Sequence, residues 1–240
     1  MSLEVRDVTV RFGGHTALDA VAVDAPAGAV TGLIGPNGAG KTTLFNVITG
    51  VQRAAGGSVL LDGAPLDGLA PHARAKRGLG RTFQRLELFS SLTVRENIRV
   101  AVSARPGRQT TKVATATDEL IDRLDLGAIA DTRADSLSTG TGRIVELGRC
   151  LALDPKVLLL DEPASGQDDQ ETERFATVLT ELAAAGTAVL LVEHDMDLVM
   201  RVCDRIHVLD FGRLLASGTP AEIQADAKVR AAYLGDEVPA

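Results

Sequence analysis

The chain of 240 residues has no tryptophan, one tyrosine and six phenylalanines. Aromatics make up 3% of it and hydrophobic residues 45%, so a folded core must be built from Val, Leu, Ile and Ala. Cysteine is scarce as well. Cys150 and Cys203 both sit in apolar segments expected to be helical, which fits buried reduced thiols better than a disulfide or a metal pair. A basic excess is missing: the net charge is −7, which argues against a dedicated nucleic-acid binder. No apolar run approaches the roughly 18–20 residues needed to span a bilayer. The opening Met1-Ser2-Leu3-Glu4-Val5-Arg6-Asp7 has no signal-peptide core. These absences together lead to the expectation of a soluble, cytoplasmic chain.

What is present is an alternation of strand and helix patterns, the mark of an α/β fold. The length suits one large domain, or a core with a subdomain. Leu3–Arg11 alternates as an early antiparallel strand would. Ala29–Ile34 is a short β-type run entering a glycine loop, and Lys41–Thr49 is expected as a helix closed by Gly50. Gly57–Leu61 followed by Asp62-Gly63 predicts a strand and a hairpin turn. Thr93-Val94-Arg95-Glu96 is a capping box that opens a helix through Val102. A loop is expected over 105–109. A second helix, carrying Leu120, Ile121 and Leu124, should stop near Gly127. Val157–Leu160 and Ala188–Val192 are continuous apolar runs suited to central parallel strands. Ile206–Leu209 and the turn Asp210-Phe211-Gly212-Arg213 predict a further hairpin, and Thr219-Pro220-Ala221-Glu222 a second capping box. The expected division is a single domain over 1–240. Residues 1–86 and 151–240 form the α/β core with a β subdomain, and 87–150 an inserted helical subdomain.

The chemistry begins at Gly35-Pro36-Asn37-Gly38-Ala39-Gly40-Lys41-Thr42, with Thr43 next, which matches the phosphate-loop pattern at every fixed position. Glycines there let backbone N–H groups turn inward, and the following helix adds the positive end of its dipole. Lys41 would reach the outer phosphates and Thr42 would ligate Mg²⁺. Asp161 and Glu162 end a buried strand, where α/β ligands bind. Asp161 suits the metal and Glu162 suits polarising an attacking water. His194 follows an apolar strand directly and would face the same site, whereas His207 lies within a strand pattern and reads as structural. Gln84 carries no signal by itself. Phe12 closes the first strand, either stacked on a base or buried in the core. Leu137-Ser138-Thr139-Gly140-Thr141 is a Ser/Gly turn at a helix start, a second anion site whose own chain offers no phosphate. It reads as half of a nucleotide site that another subunit completes.

Taken in order, these elements resemble the ATP-binding subunit of an ABC transporter over nearly the whole chain. The resemblance implies a P-loop NTPase fold: a RecA-like core with an antiparallel β subdomain and an inserted α-helical subdomain. It implies ATP and Mg²⁺ as cofactors, and two such domains clasping two ATP molecules between phosphate loop and Ser138–Gly140 turn. It makes Phe12 the adenine-stacking aromatic, Gln84 a metal sensor coupled to the membrane partner, and His194 the switch histidine. The implied partners are a second ATPase subunit, identical or not, transmembrane permease subunits and, indirectly, a substrate-binding protein. Nucleic acid is not expected, and the implied location is the cytoplasmic face of the membrane. Gly80-Arg81-Thr82-Phe83-Gln84, Leu88-Phe89, Leu92-Thr93-Val94-Arg95-Glu96-Asn97 and Val229-Arg230-Ala231-Ala232-Tyr233-Leu234-Gly235 are similar to the branched-chain amino acid importer ATPases. Arg143-Ile144-Val145-Glu146-Leu147 fits the same group. Two departures stand out. Thr139 and Thr141 replace the family's usual Gly and Gln, and Gln167 stands before Asp168 where Leu is usual.

Two other readings compete. A chromosome-maintenance ATPase of the same superfamily would need a long coiled coil between Gln84 and Leu137. Only 52 residues lie between them, without sustained heptads. A monomeric kinase or switch would not need Leu137–Thr141 or His194. The apolar residues Leu86, Leu88, Phe89 and Leu92 could either meet a membrane partner or belong to the core.

Overall fold

The computed structural model describes residues 2–105 and 110–234. All but Arg105 of the loop expected over 105–109, the side chains of Tyr233 and Leu234, and Gly235 lie outside the described residues. The chain opens with the hairpin β1 (Leu3–Phe12) and β2 (His15–Ala25). β3 (Val30–Ile34) leads through the glycine loop to α1 (Lys41–Thr49). β4 (Gly56–Leu61), β5 (Ala64–Pro65), α2 (Pro71–Lys76) and β6 (Leu79–Arg81) follow. Helices α3 (Val94–Ser103), α4 (Thr110–Arg123) and α5 (Thr139–Leu151) occupy the middle. Then come β7 (Val157–Asp161), α6 (Asp169–Ala184), β8 (Ala188–Val192) and α7 (Met196–Val202). β9 (Arg205–Asp210), β10 (Arg213–Gly218), α8 (Pro220–Ala225) and α9 (Ala227–Leu234) complete the described chain.

The strands form two sheets. One is antiparallel, in the order β2-β1-β4-β5. The other runs β10-β9-β3-β8-β7-β6 and is parallel except at β10. The second sheet is a wall between two cores. Leu158, Leu160, Val189 and Leu191 face a core shared with the helices, while Val157, Leu159, Ala188, Leu190 and Val192 face one shared with the antiparallel sheet and α1. Both faces of β7 and β8 are therefore dry, which is why these strands read as unbroken apolar runs rather than alternating ones. In the helical region, Val94, Ile98 and Val102 lie on one face of α3 at helical spacing and pack with Ile121, Leu124, Ile144 and Leu147.

Several local expectations need correction. The simple alternation over Leu3–Arg11 fails. Leu3 and Val5 are buried, then Val8 and Val10, because a bulge at Arg6-Asp7 shifts the phase by one residue. Asp7 takes φ 50 there, and Gly57 opposite lies so near the Asp7 carbonyl that no side chain fits. The second helix ends at Arg123, not near Gly127. The chain turns left-handed at Asp125, and Gly127–Ile129 is a single 3₁₀ turn. Cys203 lies just past the end of α7 rather than within a helix, though it is buried, and Cys150 is in α5; both are free thiols. Burial pushes each thiol up to about 12. The strand β2 carries Ala and Asp, which have weak β preference, so pairing with β1 decides its conformation.

The central wall yields a direct test. Leu160 is fully buried between β6 and β8 neighbours. Leu160→Ala should cost about 2–5 kcal/mol in equilibrium urea unfolding. A loss below about 1 kcal/mol would mean that the site collapses around the cavity instead of holding its shape.

Candidate functional site

Strand order brings the functional loops together. β3 lies between β8 and β9, and β8 lies beside β7. All four are parallel, so the residues that follow β3, β7 and β8 emerge at one edge of the sheet. These are the glycine loop, Glu162 and His194.

The glycine loop ends at Gly40, the residue before α1, with φ 105. A Cβ there would lie 2.6 Å from the Leu18 side chain and 2.9 Å from the Ala17 carbonyl, so both backbone angle and space demand glycine. Unlike α3, α5, α6, α7 and α8, helix α1 has no side chain capping its N-terminus. Its first N–H groups are open to an anion. The loop borders a cavity of about 430 Å³ lined by Phe12, Asn37–Thr43, Gln84 and Glu162, with His15 and Ala17. Phe12 is half exposed at the end of β1, not core. Lys41 is buried, and its Nζ donates to the carbonyls of Gly35 at 2.5 Å and Pro36 at 3.1 Å. Burial pushes its ammonium below the usual range, against the fields of Glu162 and Asp161. These residues fit a nucleotide. Backbone N–H groups and one lysine face the space that phosphates would take, and an exposed aromatic flanks it.

Asp161 and Glu162 are adjacent but serve different neighbours. Asp161 is buried and held by Arg81, whose Nη2 donates to Oδ2 at 3.0 Å. Burial pushes the Asp161 carboxyl up, and the Arg81 contact opposes it. Glu162 takes the left-handed φ of 50, a conformation that costs a non-glycine residue on the order of 1–3 kcal/mol. The turn aims its carboxylate outward. Oε2 accepts from Gln84 Nε2 at 2.8 Å, and Oε1 lies 2.9 Å from His194 Nε2. Gln84, Glu162 and His194, more than 30 residues apart from one another in sequence, thus meet on one carboxylate. The oxygens of Thr42, Asp161 and Gln84 are hard donors of the kind that Mg²⁺ takes; Thr42 and Gln84 line the cavity, whereas Asp161 does not and is held by Arg81.

Ser138 and Gly140 are elsewhere. Ser138 caps α5, accepting from Thr141 N–H at 3.1 Å, and neither residue lines the cavity at the glycine loop. His207 is structural: it is buried, burial pushes its imidazole down, and Nε2 contacts the Asp24 carbonyl at 3.1 Å.

Four supporting residues escaped the sequence reading. Arg81 also donates to Asn46 Oδ1 at 2.7 Å and stacks on the rings of Phe45 and Phe83. Glu193 is buried and accepts from the N–H groups of Ala164 at 2.7 Å and His194 at 2.9 Å, tying the loops after β7 and β8 together. Arg143 pairs with Glu146 inside α5 and donates to the carbonyls of Phe83 and Gln84. The helix that carries the Ser138 turn is thereby bonded to the Gln84 segment. Glu171 accepts from the Ser138 hydroxyl at 2.6 Å. A charged residue inside or beside an apolar stretch marks Arg81 and Glu193, and capping-box spacing after Asp168 marks Glu171, though not its contact with Ser138.

Leu86, Leu88 and Leu92 are partly covered, Leu88 against the helical core. Phe89 is exposed beneath the Arg149 guanidinium. Its loop is held by the buried Asn97, which bonds both the N–H and the carbonyl of Phe89. Four other exposed apolar residues, Val51, Phe83, Val100 and Leu153, gather around a cavity of about 520 Å³ between core and helical region.

A RecA-like sheet whose edge joins a phosphate loop to an Asp-Glu pair defines a P-loop NTPase. The ABC transporter family matches residues 18–165, and the family described as branched-chain amino acid ATP-binding cassette transporter matches residues 213–239. The chain is 37% identical to the high-affinity branched-chain amino acid transport ATP-binding protein BraF of Pseudomonas aeruginosa, with 98% of each chain covered. It is 39% identical to the corresponding protein LivG of Escherichia coli, again over 98% of both. A nucleotide-free ATP-binding cassette from an ABC transporter superposes with a TM-score of 0.88 at 30% identity, over 98% of this chain and 100% of that one. The dimeric bacterial ABC transporter cassette MJ0796 superposes at 0.80 and 25% identity, over 91% and 98%. The chain belongs to the ABC transporter ATP-binding family and is an ATPase subunit.

Arg81 and Asp161 supply the prediction from this geometry. Removing one member of a buried pair leaves a charge without a partner. Arg81→Met should lower unfolding stability by about 3–5 kcal/mol, and Arg81→Met with Asp161→Leu should recover most of it. Equal stability of the single and double variants would show that Asp161 does not depend on Arg81.

Proposed function

We propose that this chain hydrolyses ATP at a site shared with a second ATPase subunit and so drives import of branched-chain or related amino acids. The carrying observation is the Glu162 carboxylate, which is held by Gln84 and His194 at the mouth of the phosphate-loop cavity. In this reading Phe12 stacks on the adenine. The N–H groups of 35–43 and the Lys41 ammonium hold the phosphates. Thr42, Asp161 and Gln84 hold Mg²⁺, which when bound neutralises charge on the phosphate oxygens. Glu162 takes the proton of the attacking water as its oxygen bonds to the γ-phosphorus and the bond from that phosphorus to the β-phosphate oxygen breaks, releasing ADP and phosphate, and His194 keeps the carboxylate oriented. Ser138 and Gly140 complete the site across the interface. The matched segment at residues 213–239 supports the choice of cargo.

In the same reading a permease holds the subunit at the cytoplasmic face of the membrane, with a substrate-binding protein acting through that permease. No helix among the described residues is long and apolar enough to cross a membrane. The cavity lined by Phe83 and Val100 would receive an apolar helical segment of the permease, since exposed large apolar side chains gather there. Phe83 stands beside Gln84, so a segment seated there would press on the residue that touches Glu162.

Two experiments test these roles. Glu162→Gln should lower kcat by about 10²–10⁴-fold and trap a dimer with ATP, which adding Ser138→Arg should abolish. Normal turnover in the single variant would remove Glu162 from the water-activating role. Val100→Asp should leave ATP binding by the free subunit intact but prevent co-purification with the permease. Retained co-purification would move the docking surface elsewhere.

A further inference from the structure

The turn assigned to the facing nucleotide already holds an anion from its own chain. The Ser138 hydroxyl donates to Glu171 Oε1 at 2.6 Å. The Glu171 carboxylate fills the space beside Gly140, where a Cβ would overlap it. Glu171 also belongs to the neighbouring helix. It is the third residue of α6, its Oε2 accepts from Asp168 N–H at 3.3 Å, and its own N–H donates to Asp168 Oδ1 at 2.8 Å. One carboxylate therefore joins the N-termini of α5 and α6. Gly166, in the loop before α6, packs 3.5 Å from the Thr139 side chain if given a Cβ, so the two segments are in register around this contact.

A carboxylate and a phosphate compete for such a place. Both are anions drawn to helix N-termini, and both use the same serine hydroxyl as a donor. That hydroxyl has one proton, so Ser138 cannot donate to Glu171 and to a facing phosphate at once. The hollow beside Gly140 likewise holds one group only. We propose that Glu171 is an internal stand-in for the γ-phosphate of the facing subunit's ATP, holding the Ser138 turn occupied until that ATP displaces it. Glu171 thereby sets the ATP concentration at which two subunits close. The proposal rests on the two-subunit reading above. It adds a regulatory contact within one chain, in the segment from Gly166 to Glu171 that follows the Asp161-Glu162 strand. Displacement would also disengage α6 from α5, so closure and the position of the helical region would change together.

Glu171→Gln isolates the charge, because Gln also completes a capping box and α6 keeps its N-terminal bonds. The variant is made in the Glu162→Gln protein and compared with Glu162→Gln alone. Dimer fraction is followed by sedimentation across an ATP titration with Mg²⁺. Glu171→Gln should lower the ATP concentration for half-dimerisation by about tenfold, since a charge-assisted hydrogen bond is replaced by a weaker neutral one. Its thermal midpoint without nucleotide should fall by no more than a few degrees, because the capping box is kept and only the Ser138 contact is weakened. Glu171→Ala should lower the ATP requirement likewise while also lowering the thermal midpoint, because the capping box is lost. An equal or higher ATP requirement in Glu171→Gln would overturn the proposal and leave the two-subunit reading standing. No dimer in either protein would remove that reading for two copies of this chain, and the proposal with it.

Discussion

Two carboxylates adjacent in sequence, at the end of a fully buried strand, must be held apart. The site depends on how that is done. Asp161 stays within the sheet and is gripped by Arg81 from β6, in a setting where an unpaired carboxylate would be costly. Glu162 leaves the strand in a left-handed turn and reaches Gln84 and His194. The backbone strain at Glu162 separates the two acids and assigns one to the interior and one to the mouth of the cavity. Lys41 lies within the field of both, which offsets part of what burial does to its ammonium.

The supporting contacts share a pattern. Side chains from one segment bond a neighbouring one, so several of the loops around the site are tied together. Glu193 ties the loop after β7 to the loop after β8. Arg143 ties α5 to the Gln84 segment. Asn97 fixes the loop that carries Phe89. Arg81 spans from the Asp161 carboxylate to Phe83, and so from the end of β7 to the apolar cavity between core and helical region. These contacts join the apolar cavity, the start of α5 and the Glu162 carboxylate into one connected set of bonds.

Much of this was legible in the residue pattern. Gly35–Thr42 announced itself because a phosphate loop needs glycine at fixed places, and Gly40 shows the reason in its φ and its contact with Ala17. β7 and β8 were legible because burial on both faces removes polar residues from a strand. Capping boxes at Thr93 and Thr219 stand where local spacing put them. Less legible were features set by pairing. The bulge at Asp7 needs the partner strand and Gly57. The strand β2 has little preference of its own. The capping box at Asp168 and Glu171 has the spacing of the others, yet its contact with Ser138 comes from a helix 33 residues away.

The sequence by itself determined the family, the phosphate loop, the acids at the end of β7 and the aliphatic cores. Each of these is a demand on residue type at local spacing, made by backbone geometry or by burial. Only the tertiary structure decided which side chains share a contact. Gln84 and His194 meet at Glu162 because strand order sets their loops side by side. Glu171 reaches Ser138 because α5 and α6 begin next to each other. Spacing along the chain carries no information about either meeting, since both join loops that the sheet and the helical packing bring together.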